Sequence, residues 1–176
     1  MNLIKFKDDL TTDLKKRLGK NTDVWVYTEE YGLKRFYANG QVNNAVVIWI
    51  TERPATIKPR PNRWMPRRFC ELLKNAGLEN VHLTDFVKIR AKPGKKPTEE
   101  ELEASAEWMR KEIEVLRIEG KKMIIIANGR RVRKWMKEYL PTYKYEYIQF
   151  YQWCLTRGKS KVDLRKRLRE IYKMTI

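Results

Sequence analysis

The chain is poor in the residues that most often carry metal and redox chemistry: two cysteines and one histidine in 176 residues. Cys70 and Cys154 stand far apart without metal-ligand spacing. Free thiols in a reducing compartment are expected, and a cysteine-built metal centre is not. His82 alone leaves little material for a histidine-based site. Long apolar runs are missing too, and none approaches the roughly 20 residues that cross a bilayer. The opening stretch, MNLIKFKDDLTTDLKK, carries acids early and has no apolar core. No signal peptide is therefore expected, and the expected location is the cytoplasm. Repeats and low-complexity linkers are also lacking. One domain is expected over 1–176, with an N-terminal helix and possible hairpin in 1–44, a core in 45–155 and a C-terminal helix in 156–176.

Acidic residues are the other deficit. Thirty-nine Lys and Arg face 22 Asp and Glu, which leaves a net charge of +17. So one-sided an excess favours a polyanionic partner. Nucleic acid comes before a membrane, because no basic amphipathic anchor stands out. A thermophilic surface is the competing explanation for 35% charged residues, but such surfaces balance their signs. A hydrophobic share of 42% sets the chain among globular proteins rather than disordered ones.

Turn signals divide the apolar material into regular segments. Leu10, Leu14 and Leu18 recur at helical spacing, and Gly19 stops that helix. DVWVYTEEYGLKRFYANGQ alternates and contains an Asn-Gly turn, as an edge hairpin would. Ala45 to Ile50 reads as a strand buried on both faces. Pro66 opens a helix with Phe69, Leu72, Leu73 and Ala76 on one face, ended by Gly77. Val81 to Ile89 reads as a second strand. Thr98, with Glu101 three residues on, forms a capping box for a helix whose inner stripe is Leu102, Ala106, Met109, Ile113 and Leu116, ended by Gly120. Residues 123–127, MIIIA, are a third strand. A helix carrying Val132, Trp135, Met136 and Tyr139 follows, then a fourth strand at 145–151. Ser160 caps a last helix with Leu164, Leu168 and Ile171 inside. Strands alternating with helices, and too apolar for a half-exposed sheet, predict an α/β three-layer fold. Its centre is a mostly parallel four-stranded sheet flanked by helices.

In such sheets ligands gather beyond the carboxyl ends of the strands. The basic excess concentrates there. Arg53, Lys58, Arg60, Arg63, Arg67 and Arg68 follow the first strand. Lys88, Arg90, Lys92, Lys95 and Lys96 follow the second, and Arg157, Lys159 and Lys161 follow the fourth. A phosphate backbone lying across the strand ends fits that arrangement. Trp64 and Trp153 lie among these cations, where rings stack on unpaired bases or simply join the core.

Three stretches carry a likeness. They are TERPA at 51–55, PNRWMPRRFCELLKNAGL at 61–78, and NVHLTDFVKIRAKPGKKPTEEEL at 80–102 with the apolar strand and Gly turn after it. In order and spacing they resemble the uracil-DNA glycosylase superfamily over roughly residues 45–155. The resemblance implies excision of a flipped-out base from single- or double-stranded DNA by an enzyme of base excision repair. It implies that Glu52 positions the attacking water, while Thr51, Arg53, Pro54 and Ala55 shape the loop around it. Asp85 would read the base edge. Trp64, or Phe69, would stack on the base, and Asn62 would line the pocket. Tyr151 and Gln152 stand where the family's His-Pro-Ser motif would be. The phosphate contacts would come from Arg60, Arg63, Lys88, Arg90, Lys92, Arg157 and Lys159. A monomer is expected.

The chain departs from that pattern in four places. Thr51 replaces a leading glycine and Ala55 a closing one. Asp85 replaces the uracil-reading asparagine. A carboxylate only accepts hydrogen bonds, so when ionised it disfavours uracil O4 and favours an edge with two donors, such as that of guanine. Protonated by burial, it imitates the amide. The cationic histidine is missing, and loss of a donor to developing charge typically costs about 10²–10³ in rate. The four cysteines of the family's iron–sulfur branch are also missing, so no metal and no cofactor is expected. Two other readings stay open. One is a non-catalytic nucleic-acid-binding protein that retains the fold. The other is a nuclease in which Glu52 and Asp85 share a divalent metal.

Overall fold

The computed structural model describes residues 3–24, 41–42, 45–53, 71–78, 81–90, 95–149 and 158–176. Its centre is β2 (Ala45–Thr51). Successive side chains of a strand point to opposite faces. Val46, Ile48 and Ile50 therefore enter one core, and Ala45, Val47 and Trp49 enter the other. Covering both faces requires the unbroken apolar run that the sequence shows.

Three strands run parallel to β2. β3 (His82–Asp85) pairs with its second half, in register Ile48 to His82 and Thr51 to Asp85. β4 (Lys122–Asn128) pairs along the other edge, and β5 (Glu146–Ile148) pairs with β4. The parallel strands thus lie in the order β3-β2-β4-β5. A two-residue strand, β1 (Gln41–Val42), adds antiparallel pairing at the start of β2.

Helices cover both faces, as predicted. α1 (Leu3–Leu18), α2 (Glu99–Leu116) and α3 (Arg130–Tyr139) lie on the Val46 face. Residues 71–75 and α4 (Gly158–Lys173) lie on the Trp49 face, where Leu72, Leu73, Leu164, Leu168 and Ile171 are buried. The predicted capping box of α2 is present: the Thr98 hydroxyl accepts from the Glu101 N–H, and the Glu101 carboxylate accepts from the Thr98 N–H. All five residues of its predicted stripe are buried. The helix ends at Leu116, before Gly120. Phe6 of α1 meets Trp108 of α2 edge-on, and the Trp108 indole donates to Asp13 at 2.6 Å.

The second strand is shorter than predicted. It stops at Asp85, because Phe86 and Val87 are consecutive and both enter the same core, which a straight strand does not permit. The chain still holds to the end of β2, through Phe86 N–H to Thr51 O and Val87 N–H to Glu52 O. Ile89 then bridges antiparallel to Val24. Regular pairing of the fourth strand covers 146–148 among the described residues, and residues 150–151 of the predicted range lie outside them. The start of the Pro66 helix and most of the predicted hairpin lie outside the described residues.

The connections place the site. After β2 the chain passes to the Trp49 face, and after β4 it passes to the Val46 face. Neighbouring parallel strands whose connections diverge in this way leave a crevice at their carboxyl ends.

Candidate active site

Thr51 and Asp85 end β2 and β3 as register partners and face each other. The Thr51 hydroxyl lies within hydrogen-bonding reach of Asp85 Oδ1 and of the Thr84 carbonyl. A hydroxyl has one proton, so it donates to one of them at a time. Asp85 is 2% exposed. Its second oxygen, Oδ2, is buried and has no partner among the described residues. Burial pushes the Asp85 carboxyl up to about 6, against the Thr51 hydrogen bond and the charge of Lys88. In the neutral acid the proton can sit on Oδ1, donating to Thr51 while Thr51 donates to Thr84; on Oδ2 it gives the unpartnered atom a donor.

One residue further on, Glu52 leaves the sheet. Its carboxylate accepts from Arg131 at 2.6 Å. Arg131 lies in the first turn of α3, directly after β4. The pair therefore spans the crevice between β2 and β4, and both side chains keep substantial solvent exposure. Arg53 turns the other way and donates to the Lys95 carbonyl at 3.0 Å.

Behind Asp85, on the opposite face of the sheet, four buried polar groups meet. Glu112 of α2 accepts from Lys88 at 2.5 Å, from the Thr84 hydroxyl at 3.0 Å, and pairs through Oε1 with His82 Nε2 at 2.8 Å. Lys88 also donates to the Thr84 hydroxyl. Lys88 is 1% and Glu112 2% exposed. Burial pushes the Glu112 carboxyl up, but the Lys88 charge and the His82 hydrogen bond outweigh it and hold the group well below the usual carboxylate range.

Of the predicted site residues, the structure brings Thr51, Glu52, Arg53 and Asp85 together at the strand ends. Lys88 needs correction. Its ammonium is buried against Glu112 and is not displayed to a phosphate backbone. Arg90 offers little surface either: its side chain is largely covered and lies 3.6 Å from Asp23. Pro54, Ala55, Arg60, Asn62, Arg63, Trp64, Phe69, Lys92, Tyr151, Gln152 and Arg157 lie outside the described residues, as does the side chain of Lys159. For the nuclease reading, no group of three potential metal ligands occurs among the described residues.

Two features escaped the sequence reading. Arg131 carried a signal, because Gly129-Arg130-Arg131 opens a helix directly after a buried strand. Glu112 carried one too, as a charged residue beside Ile113 in a largely apolar helical stripe, facing a strand with polar residues at 82 and 84.

No curated protein and no solved structure matches the chain. The family model of the uracil DNA glycosylase superfamily matches residues 33–171, a span that includes all five strands among the described residues and most of the α4 helix. With a parallel sheet, flanking helices and a family match over most of its length, the chain belongs to the uracil DNA glycosylase superfamily.

Proposed function

We propose that the protein is a DNA glycosylase that hydrolyses the N-glycosidic bond of a flipped-out deaminated or damaged base, with Glu52 orienting the water and Asp85 reading the base edge. The observation that carries this reading is Asp85 Oδ2. A buried carboxylate oxygen with no partner among the described residues is costly unless a ligand supplies one. It persists beside Glu52 at the crevice where this architecture places its ligands. A base N–H arriving at Oδ2 supplies the missing partner.

The chemistry is simple in outline. The bond between C1′ and the base nitrogen breaks, and the base leaves with the bonding pair. The positive charge that builds on the sugar is stabilised by the Glu52 carboxylate. Water oxygen bonds to C1′, and its proton passes to Glu52. For this Glu52 must exchange Arg131 for water. An exposed ion pair of this kind is worth about 0–1 kcal/mol, so an incoming phosphate that takes Arg131 is enough to release the carboxylate.

The same ion pair supports a second reading, a nucleic-acid-binding protein without turnover, in which Glu52 stays with Arg131. A base-excision assay separates them. Single- and double-stranded oligonucleotides would carry uracil, hypoxanthine, xanthine or no lesion, and abasic sites would be cleaved with alkali. Excision of one lesion, lost in Glu52→Ala with DNA affinity kept, is the expected result. Salt-sensitive binding with no abasic product on any substrate would establish the binding protein instead.

A further inference from the structure

We propose, on the reading that Asp85 faces the base, that the buried Lys88–Glu112 pair sets the charge of Asp85 and through it the class of base edge the site accepts. Lys88 and Glu112 are then positioning residues for specificity. They touch no substrate and act through the strand end that carries Asp85.

The geometry is specific. Thr84 and Asp85 are adjacent on β3 and point to opposite faces of the sheet. The Thr84 hydroxyl holds Glu112 and Lys88 on one face, while its carbonyl lies within reach of Thr51, the partner of Asp85, on the other. Lys88 follows Asp85 by three residues and folds back so that its ammonium returns to Thr84. Neither Lys88 nor Glu112 is screened by solvent, so each acts on Asp85 with little attenuation. They act on it in opposite senses. An ion pair buried this deeply stabilises little compared with apolar residues of the same volume. Its place directly behind the site residue gives it a use that packing does not.

The charged and titratable groups facing Asp85 among the described residues are few. Glu52 and Arg53 come from the end of β2, and Lys88 from the segment after β3. Glu112 comes from α2, with His82 on its other oxygen. Arg131 of α3 acts through Glu52. Lys88 favours the ionised form of Asp85, while Glu112 and Glu52 disfavour it.

The charge decides what the site reads. An ionised carboxylate offers two acceptors. It suits an edge of neighbouring N–H donors, such as the imino and amino groups of a guanine-type base, and repels a carbonyl. The neutral acid offers one donor and one acceptor, as a carboxamide does. It suits the N3–H and O4 of uracil.

The experiment titrates the Asp85 carboxyl directly, by NMR on protein with carboxyl-labelled aspartate. Wild type is compared with His82→Gln, which removes the other group on Glu112 able to change its charge. Glu112→Gln, Lys88→Met and the double variant are then made in the His82→Gln background. Excision of uracil and of 8-oxoguanine, which keeps the guanine edge, is followed over the same pH range. Glu112→Gln is expected to lower the Asp85 midpoint and Lys88→Met to raise it, each by about one pH unit. The uracil to 8-oxoguanine ratio should move with the midpoint.

A merely structural pair would destabilise the protein in both variants without opposite shifts. Midpoints that stay put, or move the same way, overturn the proposal. If a single variant does not fold, the double variant decides. Lys88 acts on Asp85 more strongly than Glu112 does, so its midpoint should lie above that of the background, and a lower one overturns the proposal. Opposite midpoint shifts with an excision ratio that ignores them overturn the specificity role. Opposite shifts with no excision of any base overturn the glycosylase reading, and with it the specificity role.

Discussion

Glu52, at the end of β2, and Arg131, in the first turn of α3, meet at 2.6 Å across the crevice where the sheet's connections diverge. Each is more than a third exposed, so the contact is weak and exchangeable. Arg131→Met should leave thermal stability within about 0.5 kcal/mol, as surface changes usually do. If Arg131 moves to a phosphate when DNA binds, the same variant should weaken binding to every sequence alike. The slope of log affinity against log salt should fall by about one. Fluorescence anisotropy at several salt concentrations measures both. An unchanged slope would keep Arg131 off the phosphate backbone.

The Asp85 carboxyl makes stability depend on pH in an unusual direction. Its folded value, about 6, lies above the ordinary 3.8. Between these values the folded state holds a proton that the unfolded state has released, so stability falls as pH rises from about 4 to about 6. At about 1.4 kcal/mol per pH unit the loss is roughly 3 kcal/mol. Glu112 works in the opposite sense. Its folded carboxyl titrates below the ordinary 4.5, so its contribution is present above that value and lost as pH falls further. Urea denaturation across this range should show Asp85→Asn stabilised at pH 7 and without the fall in stability between pH 4.5 and 6. The acid-side loss due to Glu112 should remain. A variant no more stable than wild type at pH 7 would mean that Asp85 is not strained by burial.

The sheet and its helices were readable because both faces are covered, so burial is written into the sequence as continuous apolar strands. The α2 cap was readable for a local reason: Thr98 and Glu101 satisfy each other across a single turn. The placement of Glu52 and Asp85 at the strand ends was legible because each follows an apolar strand. Lys88 was misread because position along the chain gives no direction for a side chain. It follows a strand end among other cations, yet its ammonium folds back under the sheet to Glu112, 24 residues away. Arg131 was missed for the same reason: its partner, Glu52, is 79 residues distant.

The buried ion pair has a stability signature of its own. Lys88→Met leaves Glu112 without its cation, and Glu112→Leu leaves Lys88 without its anion. Each single change should cost about 3–5 kcal/mol, because an uncompensated buried charge remains. The double variant Lys88→Met/Glu112→Leu should cost much less than the sum. Chemical denaturation of the four proteins closes the cycle. Additive losses would show that the two charges do not interact through the protein interior.

Gly77 joins the helical residues 71–75 to the sheet under a close contact with α4. Its φ is +80°, a region that side chains rarely adopt. A Cβ there would lie 2.8 Å from Cε2 of Tyr172. Two separate costs therefore fall on Gly77→Ala. The backbone conformation costs about 1–2 kcal/mol for any L residue, and the Tyr172 ring must shift. Tyr172→Ala removes the clash and leaves the backbone cost. In the Tyr172→Ala background, Gly77→Ala should therefore destabilise less than it does in wild type, though still measurably. Equal losses in the two backgrounds would assign the whole effect to the backbone and show that the ring yields freely.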